Sequence, residues 1–400
     1  MHSSLRPLAL AALLGIAGCD RIMTSAPPAG EDLSSPLEGM SGDLNGVFVR
    51  GDEHFARVFT VAEGLGPLFN NLSCEGCHPG DGRGTPAEGF FRFSRGTDLL
   101  ASQGGPQHQD KSIPGVPLEA LPPGVDRSFR LPPPVFGMGL IEAIPVETIL
   151  ANEDPEDRDG DGISGRANWV QAPDFVPQAH VGGGPGPQLG RFSRKAQVSS
   201  LVQQVSAAYQ QDLGITNDFL PEENPHAQAG SVALGDLVAD PEIPAATVLE
   251  TVMYVRLLSP PARGEQNAQV AQGETAFGKI GCASCHLPAM NTGAHLIPQL
   301  SQRQVNLYSD LLLHDMGPGL ADNRPDGDAS GSEWRTAPLW GTRLVADFLG
   351  GQVFYLHDGR ATSLDQAIRL HGGEAEVAKE AYLELDSAEQ QALLAFINSL

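Results

Sequence analysis

The chain has 400 residues and a formal net charge of −24, from 25 Lys and Arg against 49 Asp and Glu. That excess of negative charge argues against a nucleic-acid partner. It suits a soluble protein that meets a basic or dipolar redox partner, because summed surface charge steers encounter. The length allows two domains with ordinary cores.

The first residues, MHSSLRPLALAALLGIAGCD, combine one basic residue, a short apolar run and Ile16-Ala17-Gly18-Cys19. This predicts a lipoprotein signal over 1–18, cleaved before Cys19 with a lipid on its sulfur; the run is too short to span a bilayer. An ordinary secretory signal with an incidental cysteine is the alternative, and either one implies export. Asp20 after Cys19 favours the inner membrane of a periplasmic lipid-anchored protein. Residues 19–45 read as a flexible tether. Apolar spacing at Phe55, Val58, Phe59, Val61, Leu65, Leu68 and Phe69 predicts a helix over 55–71, with Gly64 as a candidate break, and 263–280 repeats the theme. Each precedes a Cys-x-x-Cys-His segment: CEGCH at Cys74, Cys77 and His78, then CASCH at Cys282, Cys285 and His286.

Cys-x-x-Cys-His is the attachment signature of c-type haem, in which two thiols add to the macrocycle and the histidine coordinates iron. A thioredoxin-like couple or a zinc site would need the following histidine twice by accident. Two haems and one lipid use all five cysteines, leaving none for a disulfide or a catalytic thiol. His78 and His286 are then the proximal iron ligands.

Between the two segments, the Gly/Pro-rich stretches 101–136 and 172–190 cannot sustain long helices or strands. Asp157, Asp159 and Asp161 follow the first half of a calcium loop whose twelfth position is Asn168 rather than Glu; structural calcium and a solvated acidic turn both remain open. Helical pattern returns at 199–213 and 243–258, and Pro260-Pro261 marks a boundary between an N-terminal haem domain, 46–259, and a C-terminal one, 260–400. Ser363 with Gln366, and Ser387 with Gln390, predict capping boxes opening helices 364–371 and 388–399. The expected fold is mainly α: two cytochrome c-like haem domains with extensive irregular Gly/Pro-rich connections.

His371 lies on the apolar face of its helix with Leu364, Ala367 and Ile368, where a satisfied core histidine is the ordinary alternative to a ligand. The string FYLHDGRATSLDQAIRLHGGEA at 354–375 resembles the di-haem cytochrome c peroxidase and MauG superfamily. That superfamily places a ligand of the second iron fourteen residues after the histidine of HDG, which here is His371. FGMGLIEAIP (136–145), DRDGDGISGR (157–166), LYSDLLLHDMGPGLAD (307–322) and EWRTAPLWG (333–341) resemble the di-haem oxidoreductase family, also labelled thiol oxidoreductase. The thiol label finds no support in the residues. GRFSRKA at 190–196 departs from the family's GRFGWKA-like string by placing Arg194 where an aromatic stands.

The resemblance implies a peroxidase-like enzyme. Glu142 is the candidate distal acid/base, against a surface or structural carboxylate; Arg335 is a candidate haem-propionate partner, against a surface salt bridge. With no histidine at a suitable offset, the first haem is expected to be open and the site of chemistry. The second, closed by His371, would relay electrons; Met316 is its rival ligand, and His314 could bond a propionate. The implied partners are a small redox protein (c-type cytochrome or cupredoxin) as donor and peroxide or a partner protein as substrate, with membrane contact through the lipid alone. The rival from another class is a non-catalytic di-haem electron-transfer cytochrome.

Overall fold

The computed structural model describes residues 32–176, 186–224 and 235–400, so Cys19 and the expected signal lie outside the described residues. Eleven α-helices are described: α1 (Gly42–Ala56), α2 (Cys74–Cys77), α3 (Met138–Glu142), α4 (Val146–Leu150), α5 (Leu201–Asp212), α6 (Ala245–Leu257), α7 (Ala268–Lys279), α8 (Val345–Phe348), α9 (Leu364–Leu370), α10 (Glu376–Glu384) and α11 (Ser387–Ile397). None of the helices searched is long and apolar enough to cross a membrane.

Two crossed helix pairs organise the chain, α1 on α6 and α7 on α11. The crossings depend on glycine. A Cβ on Gly51 of α1 would sit 2.2 Å from the Glu250 carbonyl oxygen of α6, and one on Gly273 of α7 would sit 1.9 Å from the Ala392 carbonyl oxygen of α11. Only a residue without a Cβ lets the backbones meet there. Ser41 and Asn267 cap the first helix of each pair, accepting from Leu44 N at 3.3 Å and Val270 N at 3.0 Å. Each of these first helices leads into one of the Cys-x-x-Cys-His segments.

Ten short strands pair as five two-stranded antiparallel ribbons among the described residues. Most have two or three residues; the longest, β2 (Phe90–Ser94) on β4 (Asp126–Arg130), runs from Phe90↔Arg130 to Ser94↔Asp126. β9 (Leu313–Asp315) on β10 (Glu333–Arg335) sets His314 opposite Trp334. Thus β4 crosses part of the Pro-rich stretch that composition alone marked as irregular.

Several expected boundaries shift for local reasons. The helix expected over 55–71 ends at Ala56, because Arg57 turns extended and Gly64 and Gly66 adopt φ of 106° and 94° before Pro67. The cap of α11 is Asp386, paired reciprocally with Glu389, one residue before the expected Ser387. Ser363 caps α9 as expected, but Gln366 Oε1 accepts from Thr362 N at 2.8 Å, so the box does not close on Ser363 itself. The described part of the expected tether is packed: Leu33 is buried, Ser34 Oγ donates to Asp81 Oδ2 at 2.5 Å, and Leu37 N donates to the Leu257 carbonyl at 2.8 Å.

The core does not divide at 259/260. One large cluster joins Phe55, Leu140, Tyr209 and Val252 to Leu300, Leu312, Trp340 and Leu344. A smaller cluster holds Val270, Phe277, Tyr382, Leu393 and Phe396 around the second helix pair. A buried ionic network also crosses the boundary: Asp326 takes Arg130 at 2.6 Å and Arg324 at 2.5 Å, and Lys195 reaches Asp322 at 2.8 Å. The segment 290–344 therefore belongs structurally to both halves.

Candidate cofactor site

Each Cys-x-x-Cys-His segment is wound into one tight turn. His78 N donates to the Cys74 carbonyl at 3.0 Å and His286 N to the Cys282 carbonyl at 3.0 Å, gathering two sulfurs and one imidazole on each turn. All four sulfurs are free. Burial pushes the Cys74 thiol up, and lifts Cys77 and Cys282 to about 12.

Both histidines expected as proximal ligands are held neutral. Burial lowers His78 to about 4 against the carbonyls of Pro133 and Gly82, and Arg194 lowers it further. His286 is likewise at about 4 through burial, with the Tyr308 carbonyl opposing. His286 Nδ1 must donate to that carbonyl at 3.0 Å, which leaves the Nε2 lone pair for a metal.

His371, at the C-cap of α9, repeats the arrangement: Nδ1 donates to the Ala367 carbonyl at 2.7 Å and Nε2 is left free, with burial holding the ring neutral. Its charge would act on His286. No second histidine is among the groups that act on His78.

One cavity of about 610 Å³ connects the two turns, walled in part by His78, His286, His371, Trp334, His357 and Arg335. Arg83, Arg194 and Arg335 also face it, and none has a carboxylate at ion-pair distance among the described residues. Arg83 donates to the Phe354 carbonyl, Arg194 to Leu131, and Arg335 to Ser193 and Thr336. Burial depresses all three, Arg335 to about 10, and Arg194 is lowered further by the charges of Arg83, Arg335 and Arg130. Guanidinium groups buried beside one another without counter-ions are costly unless a ligand brings negative charge. For haem the residues fit: two thiol pairs, two neutral imidazoles with free Nε2 or buried rings, and cations placed for carboxylates.

Other expected site residues fall elsewhere. Glu142 does not line the cavity. It is 5% exposed, its Oε2 accepts from Arg256 Nε at 2.8 Å and its Oε1 accepts from Leu201 N at 2.8 Å, so it is a structural carboxylate tying α3 to α5 and α6. His314 has both nitrogens engaged, Nε2 with Asp310 at 2.8 Å and Nδ1 with Glu374 at 2.7 Å. Burial opposes its charge, but those carboxylates and Cys285 raise it to about 12, so it is a buried imidazolium clamp with no lone pair for iron. Met316 lines the cavity with its carbonyl against Gly372, adjoining His371. Arg335 lines the cavity and donates to backbone carbonyls rather than forming a surface salt bridge among the described residues.

The carboxylate oxygens of Asp157, Asp159 and Asp161 converge within 4.8 Å of one another. Asn168 is turned away from them: it is 1% exposed, with Nδ2 donating to the carbonyls of Lys195 and Asp326 and Oδ1 accepting from Asp328 N. The calcium-loop likeness therefore stops at its first half.

Sequence reasoning missed Arg83 and Asp212, and read Arg194 only as a lost aromatic. Asp212, at the end of α5, lines the cavity and is raised to about 6 by burial, against a hydrogen bond from Gln107; its charge acts on Cys74 and Cys77. The one available signal was the spacing Leu201, Gln204, Val205, Ala208, Asp212, which is a single helical face along the cavity.

Comparison with solved structures finds hydrazine synthase from Kuenenia stuttgartiensis (xenon-pressurised crystals; 14% identity over 99% of this chain and 100% of that one, TM-score 0.39). It also finds a MauG-like protein associated with microbial copper homeostasis (13% identity over 94% of each chain, TM-score 0.38). Comparison with curated proteins returned no match. The family model described as "Di-haem oxidoreductase, putative peroxidase" matches residues 119–400, which takes in the second Cys-x-x-Cys-His turn, His371 and every cavity arginine except Arg83. The chain belongs to that di-haem oxidoreductase family.

Proposed function

We propose that this is an exported peroxidase-like oxidoreductase with two covalently attached c-type haems in two cytochrome c-like halves, each built on one crossed helix pair. The observation that carries the reading is the inequality of the two ends of the cavity: His371, its Nε2 without a hydrogen bond, lines the cavity with His286 and its charge acts on that ring, and no other histidine among the described residues acts on His78 in this way. His286 and His371 would together hold the C-terminal haem for electron relay, and His78 alone would hold the N-terminal haem, leaving that end of the cavity for the chemistry. When bound, haem supplies the one-electron and peroxide chemistry.

The chain's own residues do the rest. His78 and His286 fix the irons through neutral imidazoles, and His371 closes the second. Arg83, Arg194 and Arg335 receive the haem carboxylates. Asp212 holds and gives up a proton at the cavity wall, since a carboxyl near 6 titrates close to working pH, as a general acid/base should. Glu142 has no part in this. We place the protein in the periplasm, lipid-anchored through Cys19 at the inner membrane, taking electrons from a small c-type cytochrome or cupredoxin and acting on peroxide or a partner protein.

A specific observation favours a second reading, the non-catalytic electron-transfer cytochrome: Met138 lines the cavity, and its thioether would close the first iron. The optical and EPR spectra of oxidised and half-reduced protein decide between them. A high-spin haem that responds to peroxide supports the enzyme; two low-spin haems unchanged by peroxide in every redox state sink it.

A further inference from the structure

His357, the histidine of the HDG string, walls the cavity beside Trp334. Its ring stacks on Trp334, with centroids 3.6 Å apart and planes 13° apart. The side chain is 8% exposed and lines the cavity, yet neither ring nitrogen makes a hydrogen bond; the nearest carboxylate, Asp358 Oδ2, is 3.7 Å from Nε2. No described residue hydrogen-bonds either nitrogen, and the ring lines the cavity, so its nitrogens are available to a partner there.

The surroundings state what partner fits. Arg194 acts on both His357 and His78, and the His357 carbonyl accepts from Leu131 N at 2.9 Å, beside the Pro132–Pro134 run that reaches His78. The Lys195 ammonium lies 4.4 Å from the centre of Trp334, and the Arg130 guanidinium 5.6 Å from it. The charged groups acting on His357 itself are Asp358 and Arg360 from its own loop, Arg194 from the 190–196 segment and Asp322 from the loop before β10. Burial is the first cause that keeps the imidazole neutral, and Arg194, which has no carboxylate at ion-pair distance among the described residues, draws a carboxylate into the space beside it. In a haem cavity the carboxylates available are the propionates.

We propose that His357 hydrogen-bonds a propionate of the haem held by His78 and couples a proton to that haem's electron. The inference rests on the two-haem reading above. On reduction, one electron from the donor enters the iron and one proton from solvent enters the His357–propionate pair. On oxidation both leave. Trp334 is the positioning residue that sets the ring plane.

Equilibrium potentiometry from pH 5 to 9, following each haem by its optical band, tests this. The potential of the haem that is high-spin when oxidised should fall as pH rises. At full coupling the reduction equilibrium changes tenfold per pH unit, about 59 mV for one electron. His357→Gln, which keeps a hydrogen-bonding amide and cannot titrate, should flatten the slope and leave spin state and haem content unchanged. A pH-independent potential in the unaltered protein overturns the proposal without any variant. So does a slope that survives His357→Gln, and so does a spin-state change in that variant, which would make His357 an iron ligand. Haem content separates the two layers: a preparation with one haem per chain defeats the two-haem reading, and a two-haem protein with a flat slope defeats only the role of His357.

Discussion

Replacing Glu142 separates a structural carboxylate from a catalytic one. Its side chain is 3% exposed and that of its partner Arg256 is 8% exposed, with Nε and Oε2 2.8 Å apart. Removing one member of such a buried pair leaves the other charge uncompensated and costs about 3–5 kcal/mol. The Leu201 amide at the first turn of α5 loses its acceptor as well, although the two losses share one side chain and do not add. Glu142→Ala should therefore lower the apparent melting midpoint by roughly 5 °C or more, given about 2–4 °C per kcal/mol for somewhat smaller domains. The double variant Glu142→Leu with Arg256→Met should recover most of that loss, because a buried pair can be exchanged for apolar residues at little cost. The assay is thermal unfolding by circular dichroism, run beside the rate of spectral change on adding peroxide. If Glu142→Gln melts like the unaltered protein while peroxide reactivity collapses, the carboxylate acts in the cavity and the structural assignment is refuted.

His371→Ala should turn one low-spin haem high-spin in the EPR spectrum; an unchanged spectrum would transfer the sixth-ligand role to Met316. Asp212→Asn should slow the reaction with peroxide and remove an acid limb near pH 6 from its rate profile without altering haem content, and an unchanged profile would exclude it as the proton carrier. Gly273→Ala should cost about 1–3 kcal/mol or more by forcing α7 off α11, whereas Gly278→Ala, in the same helix and with nothing within 4 Å, should be neutral or stabilising; equal effects on urea midpoints would contradict the crossing geometry. Burial and the neighbouring charges of Glu242 and Asp240 raise Glu223 to about 9, and burial raises Glu242 to about 7. Because these folded values exceed the unfolded ones, the native state holds more protons and stability falls as pH rises from about 4.5 through 9. Glu223→Gln should flatten that fall.

The sequence disclosed what repeats locally. Both Cys-x-x-Cys-His turns, the helices α5 and α6, and the short α9 ending at His371 were readable because periodicity and stop signals act within a few residues. The end of α1 was not, since apolar residues from Phe59 to Phe69 keep a helical spacing while packing into the core from irregular chain bent at Gly64 and Gly66. The role of Glu142 was equally hidden: its partners Leu201 and Arg256 are 59 and 114 residues away. Composition could not say whether that carboxylate faced a cavity or a guanidinium.

Arg194 shows most clearly why local reading fails at this site. As a letter in GRFSRKA it is a substitution of charge for an aromatic ring. In the fold it is buried beside Arg83, Arg335 and Arg130 with only a backbone carbonyl to receive its protons. Three cavity cations with no carboxylate at ion-pair distance make sense only if the negative charge arrives with a ligand. The same residue that departs from the family's string therefore supplies a physical reason, independent of the attachment motifs, for an anionic ligand in the cavity. Arg194→Leu should accordingly give a more stable chain before haem attachment and a weaker hold on the haem at His78 afterwards, seen as faster cyanide or imidazole entry at that iron. A variant less stable than the unaltered protein before attachment would show that Arg194 is satisfied by the protein alone, and the argument for an anion in the cavity would then rest on Arg83 and Arg335.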